Sequence, residues 1–349
     1  MNRRLAINIT LSLGMLVACL WLVWPSAKQQ DQISAAFDRI EFSEFLPYLL
    51  GFIGLLALTH FFRAWRWNNL LHPIGVQLKP VPLFAISSVG FMAILALPAR
   101  LGEFVRPALI RKRGEVSAAA ALGTIAVERI TDGLMVSVVV FVAFFSLRGP
   151  GAPDWMMPTA YAALCVFLAA MGFLAFALKW PDRTIRGMVK FSMIRRISPQ
   201  MAGVVEDKLR ALISGFDVLG DKKNYLEFLL WTTLYWLCNA VGLLVLARGF
   251  GIELSFVGAL ATMGLTAVGI TLPNAPALVG QYQWFMTLGL GLYVGTDVAE
   301  AEGLLFAVVC HAIQVIWYVG LGMLSLASRH VSFTEVVASR KVADDPENE

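Results

Sequence analysis

The sequence predicts an all-α polytopic membrane protein, with about six full spans plus two re-entrant, broken-helix hairpins related as an inverted repeat. Three observations carry this. Hydrophobic residues make up 58% of the chain and charged residues 15%, with a mean hydropathy of +0.69; soluble domains sit near 45–50% apolar and about 25% charged. Apolar runs long enough to cross a core of ~30 Å recur along the chain. Two shorter apolar runs are interrupted by proline, and each is followed by a second helical stretch.

The full spans read as residues 5–24, 45–62, 117–147, 159–178, 226–247 and 303–327. In the first, Leu16-Val17-Ala18-Cys19 has the form of a lipoprotein cleavage box, but the apolar run continues through Trp24, so it reads as a retained helix. The spans compose one transmembrane domain over residues 1–335, with halves of about 1–178 and 224–335. A basic segment, 179–223, joins them, and the acidic tail over 336–349 is expected to be disordered. Within the basic segment, Met201, Val204, Val205, Leu209, Leu212, Ile213, Phe216 and Leu219 form an apolar stripe at helical spacing, expected to lie along the inner membrane surface. Ile33, Ala36, Phe37 and Ile40 suggest a shorter amphipathic helix outside.

The broken runs are 83–97 and 256–272. The first ends in Leu97-Pro98-Ala99-Arg100-Leu101-Gly102-Glu103, the second in Leu272-Pro273-Asn274-Ala275-Pro276 followed by Val279-Gly280-Gln281. Both read as a half-helix, a Leu-Pro break, a glycine and a second half, with Pro98, Gly102, Pro273, Pro276 and Gly280 as hinges. If both return to the side they entered from, the Lys/Arg bias puts the N- and C-termini in the cytoplasm. The Arg63–Arg113 region then counts as cytoplasmic, and only Lys28, Arg39, Arg148 and Arg248 stand outside.

Charged residues inside the apolar scaffold are the candidate site. Glu128, Arg129 and Asp132 stand well inside the span 117–147, and their spacing makes one patch on a helix. Arg100, Glu103 and Arg106, three apart, share a face after the first break. Ionisable groups at that depth are costly and face a bundle interior or a wetted cavity. Two readings stand side by side: a cavity whose arginines bind an anionic headgroup bidentately, or a neutral salt-bridge cluster pinning the hairpin to its neighbour. Around the second break, Asn274, Gln281 and Gln283 offer neutral polar groups for a headgroup or for the backbone that proline frees.

Other chemistry finds little support. The four cysteines and four histidines are scattered without metal spacing, and there is no P-loop or nucleophile elbow. No cofactor, metal or nucleic-acid partner is expected. The ligands expected are membrane lipids.

The pattern Pro98-x-Arg100-x-Gly102-Glu103-x-x-Arg106, followed by Glu128-Arg129-x-x-Asp132, resembles the flippase-like membrane domain of lysylphosphatidylglycerol synthases and its stand-alone relatives. The resemblance runs from the first span to the last. The second break of that family usually reads Pro-Gly-x-x-Gly-x-x-Glu or Gln. Here Pro276, Gly280 and Gln283 match, and Ala277 stands where glycine is usual. The resemblance implies a lipid-translocase-like fold of a bacterial inner membrane, without the soluble aminoacyl-transferring domain. The expected function is movement of an anionic or glycosylated lipid between leaflets without intrinsic ATPase. The alternatives are an intramembrane transferase on lipid-linked substrates and a non-catalytic scaffold of an envelope-assembly complex.

Overall fold

The computed structural model describes residues 17, 21, 25–97, 102–111, 116–147, 153–194, 198–271, 276–328 and 331. Nearly all of the first expected span, the acidic tail, and Pro98, Arg100, Pro273 and Asn274 lie outside them. Among the described residues the fold is all-helical, with no strand and thirteen α-helices. They are α1 Ala27–Asp38, α2 Phe42–Leu71, α3 Pro80–Ala96, α4 Val105–Arg111, α5 Ala118–Ser146, α6 Met156–Lys179, α7 Pro181–Phe191, α8 Pro199–Ser214, α9 Lys222–Gly249, α10 Phe256–Gly269, α11 Gln281–Val294, α12 Thr296–Glu300 and α13 Glu302–Leu326. Among them four helices are long and apolar enough to cross a membrane: α2, α6, α9 and α13. The 29-residue α5 is about 43 Å long but carries three charges in its middle. The protein is a polytopic membrane protein.

Helix α2 departs from expectation. The apolar run predicts an end at Phe62, with Arg63 and Arg66 as cytoplasmic flank charges. The helix continues to Leu71, because nothing before His72-Pro73 breaks it. Arg66 is therefore fully buried in the bundle, as is Arg106, and Arg63 is half-buried and faces its interior cavity. They drop out of the Lys/Arg count that argued for orientation.

Helices α2 and α9 form the central antiparallel pair. Small residues let their backbones approach closely: Gly51 stands against Val245, Gly242 against Phe52, and Gly249 against Phe45 and Tyr48. At the start of α9 the Asp221 carboxylate accepts from the Asn224 side chain and backbone, which holds its carboxyl below the usual range. The apolar stripe of the basic segment is mostly turned inward. Ile213 and Phe216 are buried in the core with Trp67 and Phe228, while Met201 and Val204 stay exposed. The cause is a close approach to α5: a Cβ on Gly123 would meet the Leu212 carbonyl, and one on Gly215 the Ala120 carbonyl. The short helix α1 forms as expected, capped by Ser26, and buries Ala36 but leaves Phe37 exposed. Its Gln29 bonds Glu300.

The broken runs fold into two antiparallel helical hairpins. In the first, Gly90 of α3 lies under the Arg106 side chain of α4, and Gly102 meets the backbone of Ala93 and Ile94. In the second, Gly269 packs on Phe285, Gly289 on Thr262 and Gly258 on Tyr293, pairing α10 with α11. The 14 residues of α10 span only about 21 Å. Leu83 and Ile110, at the open end of the first hairpin, share a core with Leu71 and Phe228. Ala259 and Leu290, at the open end of the second, share another with Phe52 and Leu246. Since α2 and α9 run from one core to the other, the hairpins enter the bundle from opposite ends.

The turn of the second hairpin holds Ala277 at φ 52°, Leu278 at φ 63° and Gly280 at φ 79°. This left-handed backbone is why glycine is usual at the place of Ala277. The Ala277→Gly variant is expected to gain about 1 kcal/mol, read as a higher unfolding midpoint in detergent. At the other tip, a Cβ on Gly102 would run into the Ile94 amide nitrogen, against backbone that cannot yield. Gly102→Ala should lower stability by about 1–3 kcal/mol in the same measurement.

Candidate functional site

Four arginines and three carboxylates meet where the first hairpin reaches α2, α5 and α9. Arg66 grips Asp132 with a two-pronged fork, Nη1 to Oδ1 at 2.6 Å and Nη2 to Oδ2 at 2.7 Å. The same guanidinium reaches Glu128 Oε1 at 3.1 Å and Thr232 Oγ1 at 3.1 Å. Arg106 donates to Glu128 Oε1 at 3.2 Å and places its Nη1 3.0 Å from Oε2. Arg129 pairs with Glu128, and lies 3.5 Å from Asp132 and 3.9 Å from Glu103. Trp236 Nε1 donates to Asp132 at 3.3 Å. Arg66, Arg106 and Glu128 are fully buried. Aromatic faces cover the cations: Tyr235 lies 4.8 Å from Arg66, and Trp67 4.8 Å from Arg106.

The three carboxylates differ. Glu128 and Asp132 are held on several sides, whereas neither oxygen of the buried Glu103 carboxylate has a hydrogen bond among the described residues. Arg63 is the cation without a counter-ion among the described residues. Its guanidinium rests on the Phe91 ring at 4.1 Å, with Tyr318 and Tyr235 at 5.8 and 6.0 Å. With four arginines against three carboxylates, the described cluster carries one surplus positive charge.

The cluster borders a cavity of about 630 Å³. Arg63, Glu103, Arg129 and Asp132 form its charged wall, and Tyr235, Trp236 and Tyr318 stand beside them. Both hairpin tips reach it, through Ile94 and Leu95 on one side and Thr266, Ile270 and Leu278 on the other. Further polar groups are His311 and Gln314 of α13, Asn239 of α9, and Thr271 and Tyr282 of the second hairpin.

Of the residues singled out in the sequence, Glu103, Arg106, Glu128, Arg129 and Asp132 come together. Gln281 and Gln283 serve the second hairpin's own turn. Gln281 Nε2 donates to the Gly269 carbonyl at 2.8 Å, and the Gly280 amide donates to Gln283 Oε1 at 2.8 Å. Pro276 and Gly280 lie in that turn, and Gly102 in the tip of the first hairpin. Arg100, Asn274, Pro98 and Pro273 fall outside the described residues. The sequence reading missed Arg63, Arg66, Tyr235, His311 and Gln314. A signal for the arginines existed: Arg63, Arg66 and Trp67 continue the helical register of the second span without a breaker.

These pairings predict unequal costs. Asp132→Asn leaves Arg66 buried without its fork and should cost about 3–5 kcal/mol, read as loss of monodisperse protein in detergent. Arg63→Gln breaks ring contacts and no ion pair among the described residues, and should cost about 1 kcal/mol in unfolding midpoint.

Known proteins frame this geometry. The model of the lysylphosphatidylglycerol synthase TM region matches residues 7–322. The chain is also 24% identical over 314 residues to a protein of Haloferax volcanii named glycosyltransferase AglD, covering 82% of this chain. It spans only 50% of that relative's length. No solved structure matches it. A match over nearly the whole membrane-embedded length, with both charged motifs inside it, makes this chain a member of the lysylphosphatidylglycerol synthase transmembrane-region family.

Proposed function

We propose that the protein moves an anionic or glycosylated lipid between membrane leaflets, passing the headgroup through the cavity between the two hairpin tips. The observation that carries this reading is Arg63, a cation on the cavity wall with no carboxylate partner among the described residues. A buried charge is tolerated where its counter-ion arrives with a ligand, and a guanidinium suits a phosphate. Arg129, partly exposed at the same wall, stands ready as a second donor.

In this reading the hairpins are re-entrant elements in the bilayer, related as an inverted repeat. Their entry from opposite ends of the bundle supports that, as does the shortness of α10. Their tips leave backbone groups that lipid cannot satisfy, so the tips face protein and a polar cavity. The membrane is a bacterial inner membrane with both termini cytoplasmic. Movement is downhill or coupled to an ion. Glu103 is the carboxylate for proton exchange, since Glu128 and Asp132 are locked by Arg66 and Arg106.

A second reading, an intramembrane transferase on lipid-linked substrates, draws on the name of the Haloferax volcanii relative and on the unbonded Glu103 carboxylate. It predicts product formation that Glu103→Gln abolishes.

The test is leaflet exchange of fluorescent lipids in reconstituted vesicles, read by dithionite quenching. The wild-type protein should expose inner-leaflet label well beyond empty vesicles, and Arg63→Gln should lower the rate about tenfold or more, the loss of one charge-assisted contact. Exchange no faster than in empty vesicles, with folded protein and an anionic lipid, would sink the translocase reading. Glu103→Gln should remove any dependence of the rate on a pH gradient while leaving the fold intact.

A further inference from the structure

An apolar surface of another kind lies away from the cavity, at the end of the bundle where α6 stops. Trp180 closes α6 there, with the Phe176 ring at 4.9 Å and the Lys179 ammonium at 4.6 Å from its centroid. A tryptophan beside cations at the end of an apolar span marks the bilayer boundary. Helix α7 begins at the next residue. Helix α8 returns alongside it: Arg210, near the end of α8, pairs with Asp182, at the start of α7, at 2.9 Å. The two helices form an antiparallel pair whose tip lies beyond Phe191, where the Ser198 amide donates to the Ile194 carbonyl at 2.9 Å.

Helix α7 sorts its side chains three ways. Ile185 and Val189 are buried in one core with Leu174 and Ala177 of α6. Arg183, Arg186 and Lys190 share the outer face, all exposed and without an ion pair among the described residues. Met188 and Phe191, three apart, lie on a flank between those two faces. Phe191 is 91% exposed, and Met193, Met201 and Val204 are exposed at the same tip. Of the stripe expected along the membrane surface, only Met201 and Val204 belong to this tip. A phenylalanine so exposed protrudes instead of lining a groove, and a protruding ring suits insertion into a fluid layer.

We propose that the tip of the α7–α8 pair is a docking surface for an anionic membrane leaflet, the one in which α6 ends. Phe191 and Met193 enter the acyl region, and Arg183, Arg186 and Lys190 hold the headgroup phosphates. An interfacial helix has this layout, an apolar flank at the headgroup–acyl boundary and cations among the headgroups. Each cation near an anionic surface favours insertion about fivefold. The surface is separate from the cavity, so the assignment stands or falls independently of lipid movement. It reaches the cavity only through α8, whose Leu212 lines it.

The test uses the full-length chain in nanodiscs of phosphatidylcholine, alone or mixed with phosphatidylglycerol. The four native cysteines are replaced by serine, and Phe191→Cys carries an environment-sensitive NBD label. In anionic discs the label should emit blue-shifted, be quenched by acyl-chain nitroxide lipids and be sheltered from aqueous iodide. Arg183→Gln, Arg186→Gln and Lys190→Gln together should lower the ratio of inserted to free tip about tenfold or more. These three side chains are exposed, so the fold should persist. A label open to iodide and untouched by nitroxide lipids in both discs overturns the proposal and leaves the face to a protein partner. Insertion as strong in phosphatidylcholine alone, or surviving the three substitutions, overturns the anionic assignment. If the cysteine-free chain does not fold, hydrogen exchange of residues 186–194 in the wild type reads the same contact. Exchange about fivefold slower in the anionic disc is expected, and equal exchange in both discs overturns the proposal.

Discussion

The fork between Arg66 and Asp132 is the constraint on which the remainder of the structure depends. Two ions inside an apolar bundle tolerate neither separation nor partial solvation. Arg66 comes from α2, Asp132 and Glu128 from α5, and Arg106 from the first hairpin. Thr232 and Trp236 of α9 complete the polar shell. One network therefore ties together four elements far apart in sequence, and fixes their rotation about their own axes. The aromatic faces of Tyr235, Phe228 and Trp67 do the remaining shielding without adding charge.

Close backbone approach is the second ingredient, and it also governs where polar groups are allowed. A hairpin that turns inside a bundle leaves backbone donors and acceptors without helical partners. Here Gln281 returns to the Gly269 carbonyl, and Gln283 takes the Gly280 amide. The first tip is closed instead by Gly102 lying on the backbone of α3. Among the described residues, side-chain amides close the second tip, and Gly102 lies against the backbone of α3 at the first. Residues of both hairpins line the cavity.

The cavity walls differ in kind. One is ionic, with Arg63 and Arg129 beside a weakly held Glu103. The other is neutral, with His311 oriented by a relay that begins at a backbone amide. A charged wall gives strength at short range in a low dielectric.

The all-helical fold and several residues of the candidate site's charged cluster are legible in the sequence. Apolar runs marked the helices, and two Leu-Pro breaks marked the hairpins. The three- and four-residue spacing of Glu128, Arg129 and Asp132 made them one patch, since helical periodicity is a local property. Membership of a pattern also flagged Ala277, whose left-handed backbone accounts for the usual glycine there. Arg63 and Arg66 stayed hidden because arginines at the end of an apolar run normally reach for the interface; only the packing of α2 against α5 and α9 places them inside. A lone histidine in an apolar helix is likewise ordinary from sequence. The orientation of His311 rests on Gln283, twenty-eight residues away, and on which atom of that amide faces it. Local periodicity determined which side chains share a helix face. The tertiary structure alone decided which faces meet, because counter-ions and hydrogen-bond relays pair residues across elements and carry no mark in the order of the chain.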